Sequence, residues 1–271
     1  MDGQSVSPEP SRRVAVRIAY RGQDFHGSQR QPGTRTVEGE VIEALLRVQE
    51  GMSEKELELK AASRTDAGVS ALGNVVSFRT RFRDDALLMD ALNAVSRGVF
   101  FLAVAELPDG YGIRRALRRR YLYIHPAARL NVERMREAAA MMQGEHDFAR
   151  FCRDDGKPTT LLMEEVDIQV RDGLIEMRFS APYFLWNLVR RLVAAVIKVG
   201  RGHASLDEVR RALEGEEVLF GLARPDRLTL LDVEYDDLSF VYYHGVPLCR
   251  RLEEERLRAS LSLEFYSRLL P

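Results

Sequence analysis

Two α/β halves, each a sheet with helices laid on one side, form the architecture this sequence predicts. Three observations carry it. Apolar residues recur with period two in some segments and with period 3.6 in others. The order of elements in the first half, β-α-β-β-α-β, returns loosely in the second. The 271 residues are 45% hydrophobic, enough to bury the core of one large domain or of two with about 100–150 residues each.

Val14, Val16, Ile18 and Tyr20 alternate with Arg13, Ala15, Arg17 and Ala19, the pattern of a half-buried strand. A loop with Gly22, Gly27, Pro32 and Gly33 follows. Thr36 then predicts the cap of a helix with Val37, Val41, Leu45 and Val48 on its apolar stripe. Leu57, Leu59 and Ala61 predict a second strand, from whose end the loop S-R-T-D-A-G (63–68) hangs, and Val76, Phe78 and Thr80 a third. Asp84 predicts the cap of a helix over 86–94, and V-F-F-L-A-V-A (99–105) a buried strand. The second half opens with a strand over 120–124 and a helix capped by Asn131 and stopped by Gly144. Two strands through Ile168 and Met177 turn at Asp172-Gly173. A helix over 184–199 ends at Gly200, and Ser205 with Glu208 is a capping-box pair that opens another. Strands over 231–235 and 238–243 and a last helix over 252–270 complete the chain. The predicted divisions are a tail over 1–12, halves over 13–108 and 109–236, and an extension over 237–271.

The formal net charge is −1 with 30% charged residues, so composition imposes no nucleic-acid partner. Distribution says more. Residues 111–132 hold six Arg (114, 115, 118, 119, 120 and 129) and no acid, and 11–36 hold six Arg against Asp24. Acids collect at 232–237 and 253–255. Such separation suits one basic face toward a polyanion, and it equally suits solvated strand and helix faces. Cys152 and Cys249 are far apart and the five His scattered, so neither a disulfide framework nor a metal site is expected. No apolar run reaches the ~18 residues of a membrane span. The polar, acidic first ten residues read as a loose tail and not a signal peptide. A cytoplasmic protein without membrane partner is the expectation.

For chemistry, Asp66 stands out. A turn needs only the Asp and the Gly of D-A-G, yet Arg64 lies two residues away. It is placed to lie beside the carboxylate or to reach a phosphate, and a neighbouring cation favours the ionised form of a carboxylate. An ionised, positioned Asp serves as nucleophile, base or metal ligand. No second acid stands near it in sequence, which leaves a glycosidase pair or metal cluster without support. R-R-A-L-R-R-R-Y-L-Y (114–123) puts arginines beside aromatics, as phosphate neutralisation and base stacking require; an exposed basic strand with Tyr121 or Tyr123 in the core fits as well. One of Arg190 and Arg191 must sit at the edge of the apolar face of its helix and needs a carboxylate. Asp66 is one candidate among many. A small-molecule α/β enzyme would carry a Gly-rich phosphate loop, and Y-R-G-Q-D-F-H-G lacks that Gly spacing.

S-R-T-D-A-G-V-S-A-L-G-N-V-V-S-F (63–78) resembles the signature of the tRNA pseudouridine synthase A (TruA) family. Four more stretches are similar to family segments in the family's order. They are Y-R-G-Q-D-F-H-G-S-Q-R-Q-P (20–32), L-R-R-R-Y-L-Y (117–123), G-E-H-D-F-A-R-F (144–151) and F-L-W-N-L-V-R-R-L-V (184–193). The resemblance spans roughly 13 to 235.

It implies an α+β fold of two ferredoxin-like (RRM-like) halves with antiparallel sheets around a central RNA-binding cleft. It implies a homodimer that isomerises uridine to pseudouridine in the tRNA anticodon stem-loop, at positions 38 to 40, with no nucleotide or other cofactor and no metal. Asp66 would attack C1′ of the target uridine or C6 of its base. Tyr121 would stack on that base and assist removal of the C5 proton, and Arg190 would pair with Asp66. Arg64 would enter the RNA and hold the uridine out of its stack. Arg30, Arg114, Arg118 and Arg119 would contact the tRNA. Departures from the family pattern are Ser28 in place of a bulky aromatic, Ser70 in place of His, and R-L-T-L from Arg227. The extension after Asp236 has no bacterial counterpart, and Q-R-Q-P with R-T-V-E-G-E is closer to archaeal members. A non-catalytic RNA-binding protein on the same halves would keep the Arg and Tyr features but have no need of Asp66.

Overall fold

Four helices of eight or more residues begin where a side chain satisfies backbone N–H groups that the first turn leaves free. Thr36 accepts from Gly39, Asp84 from Ala86 and Leu87, Asn131 from Arg134, and Ser205 from Glu208. The computed structural model describes residues 11–154, 156 and 158–269. The expected tail over 1–12 lies outside these as far as residue 10, and Arg12 already belongs to the first strand. In order come β1 (Arg12–Tyr20), α1 (Val37–Val48), α2 (Glu54–Leu57), β2 (Lys60–Ala61), β3 (Ser70–Thr80), α3 (Asp85–Val95) and β4 (Val99–Leu107). The second half has β5 (Arg118–Pro126), α4 (Val132–Met141), β6 (Gly144–Asp147), β7 (Thr160–Met163), β8 (Glu165–Arg171), β9 (Leu174–Ala181), α5 (Leu188–Gly200), α6 (Leu206–Leu213) and β10 (Leu228–Glu234). The extension adds β11 (Val241–Tyr242) and α7 (Val246–Ser267).

Strands β6 and β7 lie where no strand is expected, α7 begins at Val246 and not at residue 252, and three further elements differ from expectation. The strand expected through Leu57 shrinks to β2, because Ser53 and Glu56 form a reciprocal capping box that draws Leu57 into α2. The helix expected from residue 184 starts at Leu188. Asn187, in the left-handed region at φ 66°, interrupts the chain before it. The strand expected over 238–243 is two residues long.

Instead of one sheet per half, the described strands form a continuous nine-stranded sheet in the order β11-β4-β1-β3-β10-β5-β9-β8, with β2 also on β3. All its pairings are antiparallel except β3 with β10, which run parallel through Ser70↔Thr229 and Ala71↔Leu230. Pairing these two strands joins what would otherwise be two open edges with unpaired backbone groups. Gly73 permits the approach, since a Cβ there would lie 2.6 Å from the carbonyl oxygen of Leu231. The hairpin β6–β7 forms a second, small sheet.

The register sets a row across the joint: Tyr20 on β1 opposes Ala71, Ala71 opposes Leu230, Leu230 opposes Tyr121, and Tyr121 opposes Phe179. Opposed residues share a sheet face, so Tyr20 and Tyr121 lie on one side of the join. The loop carrying Asp66 and the turn at Pro225 both enter the sheet there. The extension wraps the β4 edge. Phe240 lies under the Arg17 guanidinium at 4.8 Å, and Arg251 on α7 donates to the carbonyls of Asn93 and Val99, each at 3.1 Å. No helix among the described residues is long and apolar enough to cross a membrane.

Candidate active site

The loop between β2 and β3 has no regular structure of its own, so its shape comes from what grips it. Ser28 holds Thr65 on both sides: the Thr65 N–H donates to Ser28 Oγ at 2.8 Å, and the Ser28 N–H donates to the Thr65 carbonyl at 3.1 Å. The hydroxyls of Tyr20 and Thr65 are 2.9 Å apart. Asn74 donates to the Ser63 carbonyl at 3.0 Å and to the Tyr20 hydroxyl at 3.3 Å. From β5, Arg119 donates to the Ala62 carbonyl and to Ser63 Oγ, both at 3.2 Å. Gly68, at φ 84°, packs on Pro225. Gly22 lies so near the Gly68–Val69 backbone that a Cβ would overlap it. These contacts are buried polar pairs, the kind that fix one geometry.

Asp66 is thereby presented to α5. Its Oδ2 accepts from Arg190 Nη1 at 2.8 Å, a contact spanning 124 positions of sequence. The side chains are 27% and 14% exposed, so the carboxylate is open to a ligand while its partner is largely enclosed. Arg190 is itself held, donating through Nε to the Ala223 carbonyl at 2.9 Å, with Asn187 Oδ1 at 3.5 Å from Nη1. Oδ1 of Asp66 stays outside the ion pair. Tyr121 is buried, with Phe184 edge-on at 5.0 Å between ring centroids. Burial pushes the Tyr121 phenol well above its ordinary pKa, with Tyr20 and Asp66 adding to the rise against Arg119, so it stays protonated at neutral pH. A buried tyrosine, a carboxylate and a fixed guanidinium thus meet at the join of the two halves. Among the described residues no group of three or more His, Cys, Asp or Glu is placed to hold a metal ion.

The expected RNA contacts divide. Arg64 is exposed, with no hydrogen bond or ion pair among the described residues. Arg114 is exposed and donates to the Ala61 carbonyl at 3.3 Å. Arg30 is exposed and ion-paired with Glu54. Arg118 lies on the opposite sheet face from Tyr121, three positions along one strand, with Glu164 and Glu234 at 3.6 and 3.4 Å. Arg119 is a correction. It is 7% exposed, and its guanidinium also bonds the carbonyls of Pro182 and Arg114. A cation this buried, with four groups of its own chain bonded to it, is turned away from any phosphate; it props the Asp66 loop.

A tRNA pseudouridine synthase A of Pyrococcus abyssi (strain GE5 / Orsay) is 37% identical over 254 residues, covering 92% of this chain and 95% of its own length. The chain belongs to the tRNA pseudouridine synthase A family. A family model described as tRNA pseudouridine synthase matches residues 138–236. The tRNA pseudouridine synthase A of Methanosarcina barkeri (strain Fusaro / DSM 804) is 36% identical over 229 residues, 83% of this chain and 85% of its own. A solved archaeal box H/ACA sRNP Nop10–Cbf5 complex matches with a TM-score of 0.33 and 12% identity over 68% of this chain and 44% of that one, too distant to carry an argument.

In this member of the family the R-T-D-A-G loop is gripped by Tyr20, Gly22, Ser28, Asn74 and Arg119, none of which sequence reasoning assigns to holding Asp66. In sequence Ser28 is only a departure from the family pattern, and Tyr20 and Gly22 are strand and loop residues; the signal for them, and for Asn74, is that they fall within the two family-like stretches 20–32 and 63–78. Gly22→Ala tests the grip. The added methyl must displace the Gly68–Val69 backbone, at a cost of about 1–3 kcal/mol for overpacking, so turnover is expected to fall at least about tenfold, with a lowered melting temperature. A variant with wild-type turnover would show that the 22–28 loop does not position Asp66.

Proposed function

We infer that this chain isomerises uridine to pseudouridine in tRNA, with Asp66 as the nucleophile. The observation that carries the reading is the Asp66–Arg190 pair, formed across the join of the halves at 2.8 Å on a loop held in place through Ala62, Ser63 and Thr65. The names of the Pyrococcus and Methanosarcina relatives support tRNA as substrate.

In this reading the carboxylate attacks C1′, or C6 of the base. The N1–C1′ bond breaks, the uracil turns in place, a C5–C1′ bond forms, and the bond to the Asp66 carboxylate breaks to free the enzyme. The C5 proton leaves and N1 gains one, so the product is an isomer and the chemistry calls for no oxidant or co-reactant. What the protein must supply is retention and orientation of the detached base, which a ring packed like Tyr121 suits. We assign Tyr121 to stacking on the base, which its buried, edge-packed ring suits, and to assistance in removal of the C5 proton. Arg64, next to Asp66 and exposed, is the group to hold the uridine out of its helix, with Arg30 and Arg114 on neighbouring phosphates. The finer parts of the reading are uridines 38 to 40 of the anticodon stem-loop, a homodimer and a cytoplasmic setting. It also takes each half as a ferredoxin-like unit, divided at 108/109 and 236/237. The strand orders β4-β1-β3-β2 and β10-β5-β9-β8 support that division, since both follow the β-α-β-β-α-β ferredoxin pattern.

Tritium release from tRNA labelled at uridine C5 tests the function. Release by the wild-type protein, mapped to the anticodon arm, is the expected result. No release from a complete tRNA pool that the protein binds in a shift assay would leave a binding protein instead.

A further inference from the structure

The single tryptophan of the chain is 44% exposed. Trp186 belongs to the short segment between β9 and α5, and its neighbours there are committed to the site. Phe184 packs on Tyr121, Leu185 is buried, and Asn187 turns the chain at φ 66° into the helix that carries Arg190. One face of the indole is covered by the Arg153 guanidinium, 4.0 Å from the ring centroid. The pairing is fixed along the backbone as well, since the Arg153 N–H donates to the Trp186 carbonyl at 2.9 Å. Arg153 is exposed too. Nothing in the folding of this segment requires a large indole turned to water, since Leu185 and Phe184 anchor it.

We propose that Trp186, backed by Arg153, is a stacking platform for a nucleobase of the substrate RNA that flanks the target uridine. This rests on the reading of the site as one that acts on tRNA. Three features point to a base and not to another ligand. An indole 44% exposed and backed by a cation on one face offers a π-surface that any nucleobase can cover and that needs no hydrogen-bond code. The guanidinium behind it polarises the ring and supplies positive charge where a phosphate follows each base. Trp186 also sits on the segment that leads into α5, four residues before Arg190, the partner of Asp66, on the side of the site where an extruded uridine leaves its neighbours unstacked and in need of a surface.

Trp186 emission, the only indole signal in the protein, reads this directly. In the Asp66→Ala protein, expected to bind without turnover, titration with tRNA is expected to quench the emission in step with a shift assay, and titration with inorganic polyphosphate to leave it unchanged. In the protein with Asp66 intact, Trp186→Ala is expected to raise KM about tenfold, the size of one lost base stack, with kcat little altered. Trp186→Phe restores most of that loss. Emission that does not move at saturating tRNA, quenching by polyphosphate equal to that by tRNA, or an unchanged KM in Trp186→Ala would each overturn the proposal. The emission titration needs no turnover, so it separates failure of the platform from failure of the isomerase reading, which tritium release by the wild type decides alone.

Discussion

Asp66→Ala is expected to abolish pseudouridine formation, by at least about 10⁴-fold in kcat for loss of a nucleophile, while tRNA binding stays within a few fold. The loop explains why the two effects separate. Its conformation depends on Thr65, Ser63 and Ala62, gripped by Ser28, Tyr20, Asn74 and Arg119, and none of those contacts uses the Asp66 carboxylate. Removing it therefore takes away the reacting atoms and leaves their frame. Asp66→Asn sharpens the test, since the amide oxygen still accepts from Arg190 but is no nucleophile. Tritium release and nucleoside analysis of the digested tRNA are the measurements. Asn or Ala at 66 with more than a tenth of wild-type turnover would put the chemistry elsewhere.

Arg190→Ala is expected to lower kcat by about 10²-fold or more, the effect of losing a charge-assisted hydrogen bond of ~3 kcal/mol at the reacting group. The side chain bridges the Asp66 carboxylate and the Ala223 carbonyl, so it fixes the orientation of the nucleophile and links α5 to the segment before β10. A lysine presents one ammonium where the guanidinium presents a planar fork, and cannot reproduce both contacts. Arg190→Lys is accordingly expected to recover only part of the loss. A modest loss of stability accompanies Arg190→Ala, because Arg190 is largely enclosed and its removal leaves the Asp66 carboxylate and the Ala223 carbonyl without their donor. Single-turnover kinetics with a thermal melt on each variant checks this. Full activity in Arg190→Lys would mean that charge alone suffices and the fork does not matter.

Much of this was legible because it is local. Thr36, Asp84, Asn131 and Ser205 each act on backbone within three residues, and all four start helices. The turn at Asp172-Gly173 is likewise a property of two neighbours, both at positive φ. Where two local signals competed, the reading failed: the period-two apolar pattern at Leu57 lost to the Ser53–Glu56 capping box, and the apolar run from Phe184 lost to Asn187. Arg119 shows a third limit. On sequence it is one of six arginines in an acid-free stretch; strand alternation turns it inward and Arg118 to the other face, and no composition argument separates the two.

The sequence by itself determined the caps, the alternation of helices and strands, the family, and the candidacy of Asp66, because those depend on residues near one another or on an ordered set of motifs. Only the tertiary structure decided that Arg190 is the arginine that meets Asp66, that Ser28 and Arg119 hold its loop, and that two expected sheets are one. Each of these joins segments dozens of positions apart. Their pairing is selected by burial of polar groups and completion of strand edges, which no local window of sequence contains.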